Sequence, residues 1–308
     1  RLSGESMHLS RMSLTNWLKK GSTNFCGLIA YLKNTCLEKD SIVNCDETWC
    51  RVKREGCYKK KYIWCLVNKL SKVVVYCYED GSRGRDALKH ILGDSQVKAL
   101  QSEGHNVYMY LDDHMVDIEH LCCMAHALAK FKYAFEQGND KDVAFILELI
   151  GELYRLERGY EESKLSPGQI RLCRNNLKTK EIIIKFRSKL DALLSENHPP
   201  RGELMEKALN YMNTFWTQLF AYLNDGFYSI DNSIAERFIR PLAGERKNSL
   251  FFGSDKMARV SAVYHTILST CRMQGVSVLD YFKKFFSEIV KGRRDYEHLL
   301  PLTIGLEQ

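Results

Sequence analysis

Val43-Asn44-Cys45-Asp46-Glu47-Thr48-Trp49 is the stretch on which the reading of this chain turns. Its β-branched and aromatic residues predict a strand, which we place over Ser41–Val52. An acid at Asp46 is out of place inside a core strand unless a partner charge or a metal compensates it. Two similar runs follow, Lys61–Asn68 and Lys72–Tyr78, rich in Val, Ile, Tyr and Trp. Three such runs in succession predict an antiparallel meander. Between the first two, Lys59-Lys60-Lys61 reads as a solvated hairpin turn.

Working outward, Gly81-Ser82-Arg83-Gly84-Arg85 leads into a helix over Asp86–Leu92, and strands are expected over Val97–Ser102 and Ile118–Cys122. Three strands, helix, strand, helix or loop, strand, helix is the ribonuclease-H-like order. The fold class expected is therefore α/β, a ribonuclease-H-like mixed sheet flanked by helices. From Ala125 to Leu223 the period is helical, with runs at Ala144–Tyr160, Ser166–Leu177, Lys180–Ser195 and Leu204–Leu223. Asn197-His198-Pro199-Pro200-Arg201-Gly202 punctuates them. A short strand is expected at Ser249–Phe252, then helices at Asp255–Met273 and Val278–Lys291.

Upstream, Leu9–Leu18 followed by Lys19-Lys20-Gly21 reads as a helix with a basic end and a glycine stop. It fits either the recognition half of a helix-turn-helix or an ordinary amphipathic helix. A second helix spans Asn24–Leu37, with Leu28, Ile29, Leu32 and Cys36 inward. The organisation expected is a helical N-terminal segment (1–40), the first part of the core (41–138), an all-helical insertion (139–228) and a closing part with helices (229–308).

The 308 residues are 45% hydrophobic with five prolines, enough to bury a large core. A formal net charge of +7 favours a polyanionic partner. Eleven cysteines, an odd number without any C-x-x-C pair, read as reduced core residues and not as a disulfide or closed zinc set. With neither a signal peptide nor an apolar run of membrane length, a cytoplasmic protein is expected. The first residue is Arg1, which leaves open a missing upstream segment. Trp17, Trp64 and Trp216 read as core aromatics.

Three carboxylates stand out by position: Asp46 in the first strand, Glu103 just past the fourth, and Glu236 on a helix that Asp231 or Asn232 could cap. Each alone is an ordinary capping or salt-bridged acid. Together they would suit Mg²⁺, a hard ion that takes oxygen ligands. Cys123 and His126 are two ligands short of a closed zinc site, so Cys123 reads as core and His126 as a hydrogen-bonding residue nearby.

Five ordered segments carry a resemblance. Asp46-Glu47-Thr48, Leu100–Tyr108, Cys123–Phe131, Asp231–Pro241 and Gly244–Ser254 resemble the motifs of insertion-sequence 66 family transposases. The resemblance implies cut-and-join chemistry on DNA phosphodiesters, with Asp46, Glu103 and Glu236 as catalytic metal ligands for two Mg²⁺ or Mn²⁺ ions. It implies double-stranded element ends and target DNA as partners, a homo-oligomer, accessory proteins of the same element, and action in a bacterial cytoplasm. Arg237, Arg240, Arg246, Lys247 and Asn248 are the expected DNA contacts, and Cys123, His126, Asp231 and Asn232 support the site. A family-typical zinc-bearing N-terminal region is not read within these residues, which leaves open whether one precedes Arg1. Four positions depart from the pattern: Glu103 replaces the usual aspartate, His105 a tyrosine, Leu128 an arginine and Ser233 an asparagine. The expectation is a transposase by descent, weak or inactive as it stands. The alternatives are a DNA-binding remnant and a nuclease without end specificity.

Overall fold

The computed structural model describes residues 10–113, 116–195 and 202–306. The chain forms two compact units. One runs to Val97 and resumes at Ile234, and the other is Lys98–Ser233.

The first unit opens with helices α1 (Arg11–Asn24) and α2 (Cys26–Cys36), the Ser10 side chain capping α1. Leu9 and the residues before it lie outside the described part. The expected glycine stop is not used, because α1 continues through Gly21. A Cβ at Gly21 would run into the hydroxyl of Tyr264, which donates to the Leu18 carbonyl at 3.1 Å. That glycine permits a close approach and does not end the helix. Trp17, expected in the core, is 53% exposed, as are its apolar neighbours Met12, Leu14 and Leu18 in large part. In α2 the helical period holds: Leu28, Leu32 and Cys36 are fully buried.

Next comes the antiparallel meander β1 (Ile42–Arg54), β2 (Cys57–Asn68) and β3 (Val73–Cys77). Its first hairpin is longer than expected. The turn is Glu55-Gly56, with φ of 46° and 81°, the left-handed pair that a tight two-residue hairpin needs. Lys59-Lys60-Lys61 therefore lie within β2 and not in the turn. Register sets Asp46 opposite Cys65, Trp49 opposite Tyr62 and Arg51 opposite Lys60. Since side chains alternate, Asp46 shares a face with Cys50 and Val52, whereas Glu47, Trp49 and Arg51 point the other way. Helix α3 (Arg85–Leu92) follows, burying Ala87, Leu88, Ile91 and Leu92.

The second unit holds the parallel pair β4 (Ala99–Ser102) and β5 (Glu119–Cys122), joined through a 3₁₀ turn at Asn106–Asp112. Among the described residues six α-helices follow: α4 (Met124–Gly138), α5 (Lys141–Glu162), α6 (Pro167–Arg174), α7 (Leu177–Leu194), α8 (Glu203–Thr214) and α9 (Trp216–Phe220). The expected helix over Leu204–Leu223 is two, broken at Phe215, whose backbone leaves helical geometry (φ −104°, ψ 20°) while its ring is buried. Of the expected linker, residues 197–201 lie outside the described part. Arg174, 4% exposed, clasps Glu157 with two nitrogens and donates to the carbonyls of Tyr222, Asp225 and Tyr228. Its guanidinium fork thereby ties α5 and α6 to the segment after α9.

The chain returns to the first unit along α10 (Ser233–Ser249), then α11 (Asp255–Gln274) and α12 (Val278–Val290). Phe238, Ile239 and Leu242 of α10 and Ala258 and Ala262 of α11 pack on the meander face that carries Cys50, Val52, Ile63 and Cys65. The expected strand at Ser249–Phe252 is reduced to one residue, Phe252, bridging Val52, because α10 runs on to Ser249. The outer edge of β3 is closed by side chains of α11. Thr266 accepts the Tyr76 N–H at 2.9 Å, and Thr270 accepts the Val74 N–H at 3.2 Å while donating to the Val74 carbonyl at 3.0 Å. All eleven cysteines are thiols, most of them buried. No helix among the described residues is long and apolar enough to cross a membrane.

Candidate active site

Asp46 sits mid-strand in β1, 6% exposed, and its Oδ1 accepts the Glu47 N–H at 2.7 Å. Its face of the meander is the one on which α10 and α11 pack. Burial foremost, and then the Asp46 charge, hold the facing Cys65 thiol well above its ordinary value. The neighbouring acid has a different fate. Glu47 points to the opposite face, where Arg83 clasps its Oε1 through Nε and Nη2, each at 2.7 Å. The pleat thus sorts two adjacent acids, one into an ion pair and one toward the helical layer.

Glu236 lies in the first turn of α10, half-buried, 3.4 Å from Arg240 one turn on. Arg237, Arg240, Lys247 and Asn248 are exposed on the same helix. At ~1.5 Å per residue, Arg246 lies roughly 15 Å along the axis from Glu236. There it stacks on the Trp49 indole, 4.2 Å from the ring centroid, and donates to the Trp49 carbonyl at 3.0 Å.

Within the second unit, Glu103 follows the last residue of β4 and meets His126 Nε2 at 2.8 Å. Burial works against a charged imidazole here. Hydrogen bonds to Cys123 and Glu103 outweigh it and push His126 up to about 11. Cys123, fully buried just before α4, accepts the Asn232 N–H at 3.2 Å. The Met124 N–H reaches the Ile230 carbonyl at 3.1 Å, and Gln101 reaches that of Ser229 at 2.7 Å. The strand ends therefore stitch down the segment that leads into α10. Asp231 completes it: one oxygen takes the N–H and hydroxyl of Ser233, the other the hydroxyl of Tyr154 at 3.1 Å. Asp231 lies two residues before the first residue of α10, and Asn232 between them is wholly buried.

A polar chain lies behind Glu103. Asp112 is 3.2 Å from His120 Nδ1, whose Nε2 is 3.2 Å from Ser102 Oγ, and Ser102 donates to the Glu103 carbonyl at 2.9 Å. Ser, His and Asp in that order resemble a nucleophilic triad. Ser102 is fully buried, however, and its hydroxyl is engaged by Glu103, so the chain positions a backbone and presents no nucleophile. On the other side, Gly104 donates its N–H to Tyr211 at 3.1 Å, and a Cβ there would stand 2.8 Å or less from Tyr211 and Phe215. The break in the helix at Phe215 thus borders the turn that carries Glu103.

Residues 1–260 match the family model described as Transposase IS66 family, a span that includes all three acids. The chain belongs to the IS66 family of transposases. Relatives of this IS66 chain include two proteins of Sinorhizobium fredii. Uncharacterized protein y4qI is 27% identical over 96% of the chain and 57% of its own length. Uncharacterized protein y4jD is 25% identical over 76% of the chain and 46% of its own length. The chain spans about half the length of these relatives.

For the IS66 chain, sequence reasoning singled out Asp46, Glu103, Glu236, Cys123 and His126 as candidates, and it did not point to His120, Asp112, Tyr211 or Arg83, which the structure sets around Glu103 and Glu47. A Ser-Glu-Gly turn after a strand is a signal that something must approach Gly104 closely. No periodicity announces the other three.

Proposed function

We propose that this chain is the catalytic part of a DNA transposase, cleaving and joining phosphodiesters with Mg²⁺ or Mn²⁺ held by Asp46, Glu103 and Glu236. The observation that carries this reading is a nearly buried carboxylate, Asp46, set mid-strand in a family match that runs through all three acids. The donor set fits the ion: carboxylate oxygens are hard ligands of the kind Mg²⁺ takes. Two such ions would activate the attacking oxygen and stabilise the leaving one. The reading extends to a ribonuclease-H-like core with residues 139–228 as a helical insertion.

The chain's own residues have separate tasks in this scheme. His126 orients Glu103 through a charge-assisted hydrogen bond. Arg237, Arg240, Lys247 and Asn248, exposed along α10, take the phosphates of element ends and target. A homo-oligomer would hold two ends together, with accessory proteins of the element assisting. The test is cleavage of DNA carrying the inverted repeats, with Mg²⁺ or Mn²⁺. The parent should give product, and Asp46→Asn and Glu236→Gln none. A parent that binds the ends but cuts with neither ion overturns catalysis in favour of a DNA-binding remnant.

The hydrogen bond from His126 to Glu103 favours a second element of this reading, an impaired site. Glutamate where the family has aspartate reaches a methylene further and spends an oxygen on His126. Glu103→Asp should then cleave about 10²-fold faster than the parent, the scale on which a ~1 Å misplacement is felt. Equal rates would remove the impairment and leave the transposase reading standing.

A further inference from the structure

The distal half of the β1–β2 hairpin carries a surface that the metal site does not use. On the face opposite the α10–α11 core, Trp49 stands across from Tyr62 and Arg51 across from Lys60. Trp49, Arg51 and Lys60 are exposed, and Tyr62 is half-buried. Cations surround both rings. Arg246 stacks on Trp49 at 4.2 Å, Lys60 lies 5.7 Å from Trp49 and 5.5 Å from Tyr62, and Arg83 lies 5.4 Å from Tyr62. The acid on this face, Glu47, is held by Arg83 with its side chain 3% exposed, so it offers little to a ligand. Cationic and aromatic side chains thus alternate across two strands, Arg83 paired with Glu47 and the exposed Arg51 and Lys60 reaching toward solvent.

We propose that this hairpin face binds single-stranded DNA, its cations following the phosphates while a base stacks at Trp49 and Tyr62. The inference rests on the proposed function only in taking DNA as the polymer. Charge complementarity selects a polyanion. The rings then select among polyanions. In a duplex the base faces are buried in the stack, whereas an unpaired strand offers them to aromatic platforms and to guanidinium groups. An acidic peptide would satisfy the cations and leave the rings unused. Strand separation next to a cleaved end would supply such a segment.

The test uses the intact chain in EDTA, so its outcome is independent of cleavage. Fluorescence anisotropy would compare a labelled oligothymidylate, a duplex of equal length, and polyglutamate as competitor. The expected result is tighter binding of the single strand, weakened about tenfold by Trp49→Ala and restored by Trp49→Tyr, in line with the loss of one stacked base. Lys60→Glu should weaken binding, whereas Lys59→Glu, the same charge change on the opposite face of the strand, should leave it near the parent. Unchanged binding by Trp49→Ala, equal losses from Lys59→Glu and Lys60→Glu, or displacement by polyglutamate would each overturn the proposal. Should Trp49→Ala fail to fold, the lysine pair decides alone.

Discussion

β1 and β4 each deliver an acid, and they do so by opposite means. β1 is thirteen residues long and paired with β2 from Val43 to Arg54, so Asp46 is placed by a regular ladder. β4 is four residues long and ends just before Glu103. What holds Glu103 is a set of side chains: the Asp112–His120–Ser102 chain behind it, His126 beside it, and Tyr211 against Gly104. A ladder distributes positioning over many equivalent bonds, and losing one side chain moves little. A side-chain network concentrates positioning in a few groups whose removal leaves buried polar atoms unmet.

The sharpest way to break this contrast is a pair of substitutions. His120→Leu removes the hub behind Glu103 and should lower cleavage by about 10²-fold, the cost of a ~1 Å shift at a reacting centre. Cys65→Val, directly across from Asp46, should change the rate little and stability by under about 1.5 kcal/mol. Comparable rate losses in both would erase the distinction. Next in size, Gly104→Ala should destabilise the protein by about 1–3 kcal/mol through overpacking against Tyr211 and Phe215, read as a lower denaturant midpoint. An unchanged midpoint would mean that the turn yields at little cost.

The smallest expected effect is in acid. Burial raises the Asp112 carboxyl, but hydrogen bonds from His120 and Gln218 outweigh that and hold it below its ordinary value. A folded pKa below the unfolded one means the contribution is complete above the unfolded value, about 3.9, and is lost as pH falls through the folded one. Amide exchange at Ser102–Gly104 should therefore rise below about pH 4 before exchange in the middle of β1 does. Simultaneous loosening of both strands would contradict the network account.

The same contrast explains what could be read in the sequence. The meander, α2, α11 and α12 follow from residue period, because each buries one continuous face. Asp46 was legible as an acid where the strand pattern has no place for one. The hairpin tip was misread because a face without cover tolerates lysines, so Lys59-Lys60-Lys61 looked like loop while the ladder continued to Glu55-Gly56. Gly21 was misread because a glycine that admits a tyrosine and one that stops a helix are the same letter. Of the environment of Glu103 only His126 and the close approach at Gly104 left a trace, since His120, Asp112 and Tyr211 are brought to it from 9 to 108 residues away by tertiary structure alone.

Thr266 and Thr270 close the outer margin of β3, and this limits how copies of the chain can associate. A strand edge with open amides recruits another strand and can go on doing so, which is the route to fibrous aggregates. Here that margin is already answered from within, one helical turn of α11 matching the two-residue repeat of the strand. A second copy meeting this margin would find the amides of Val74 and Tyr76 already answered, so pairing strand to strand along β3 has no footing there.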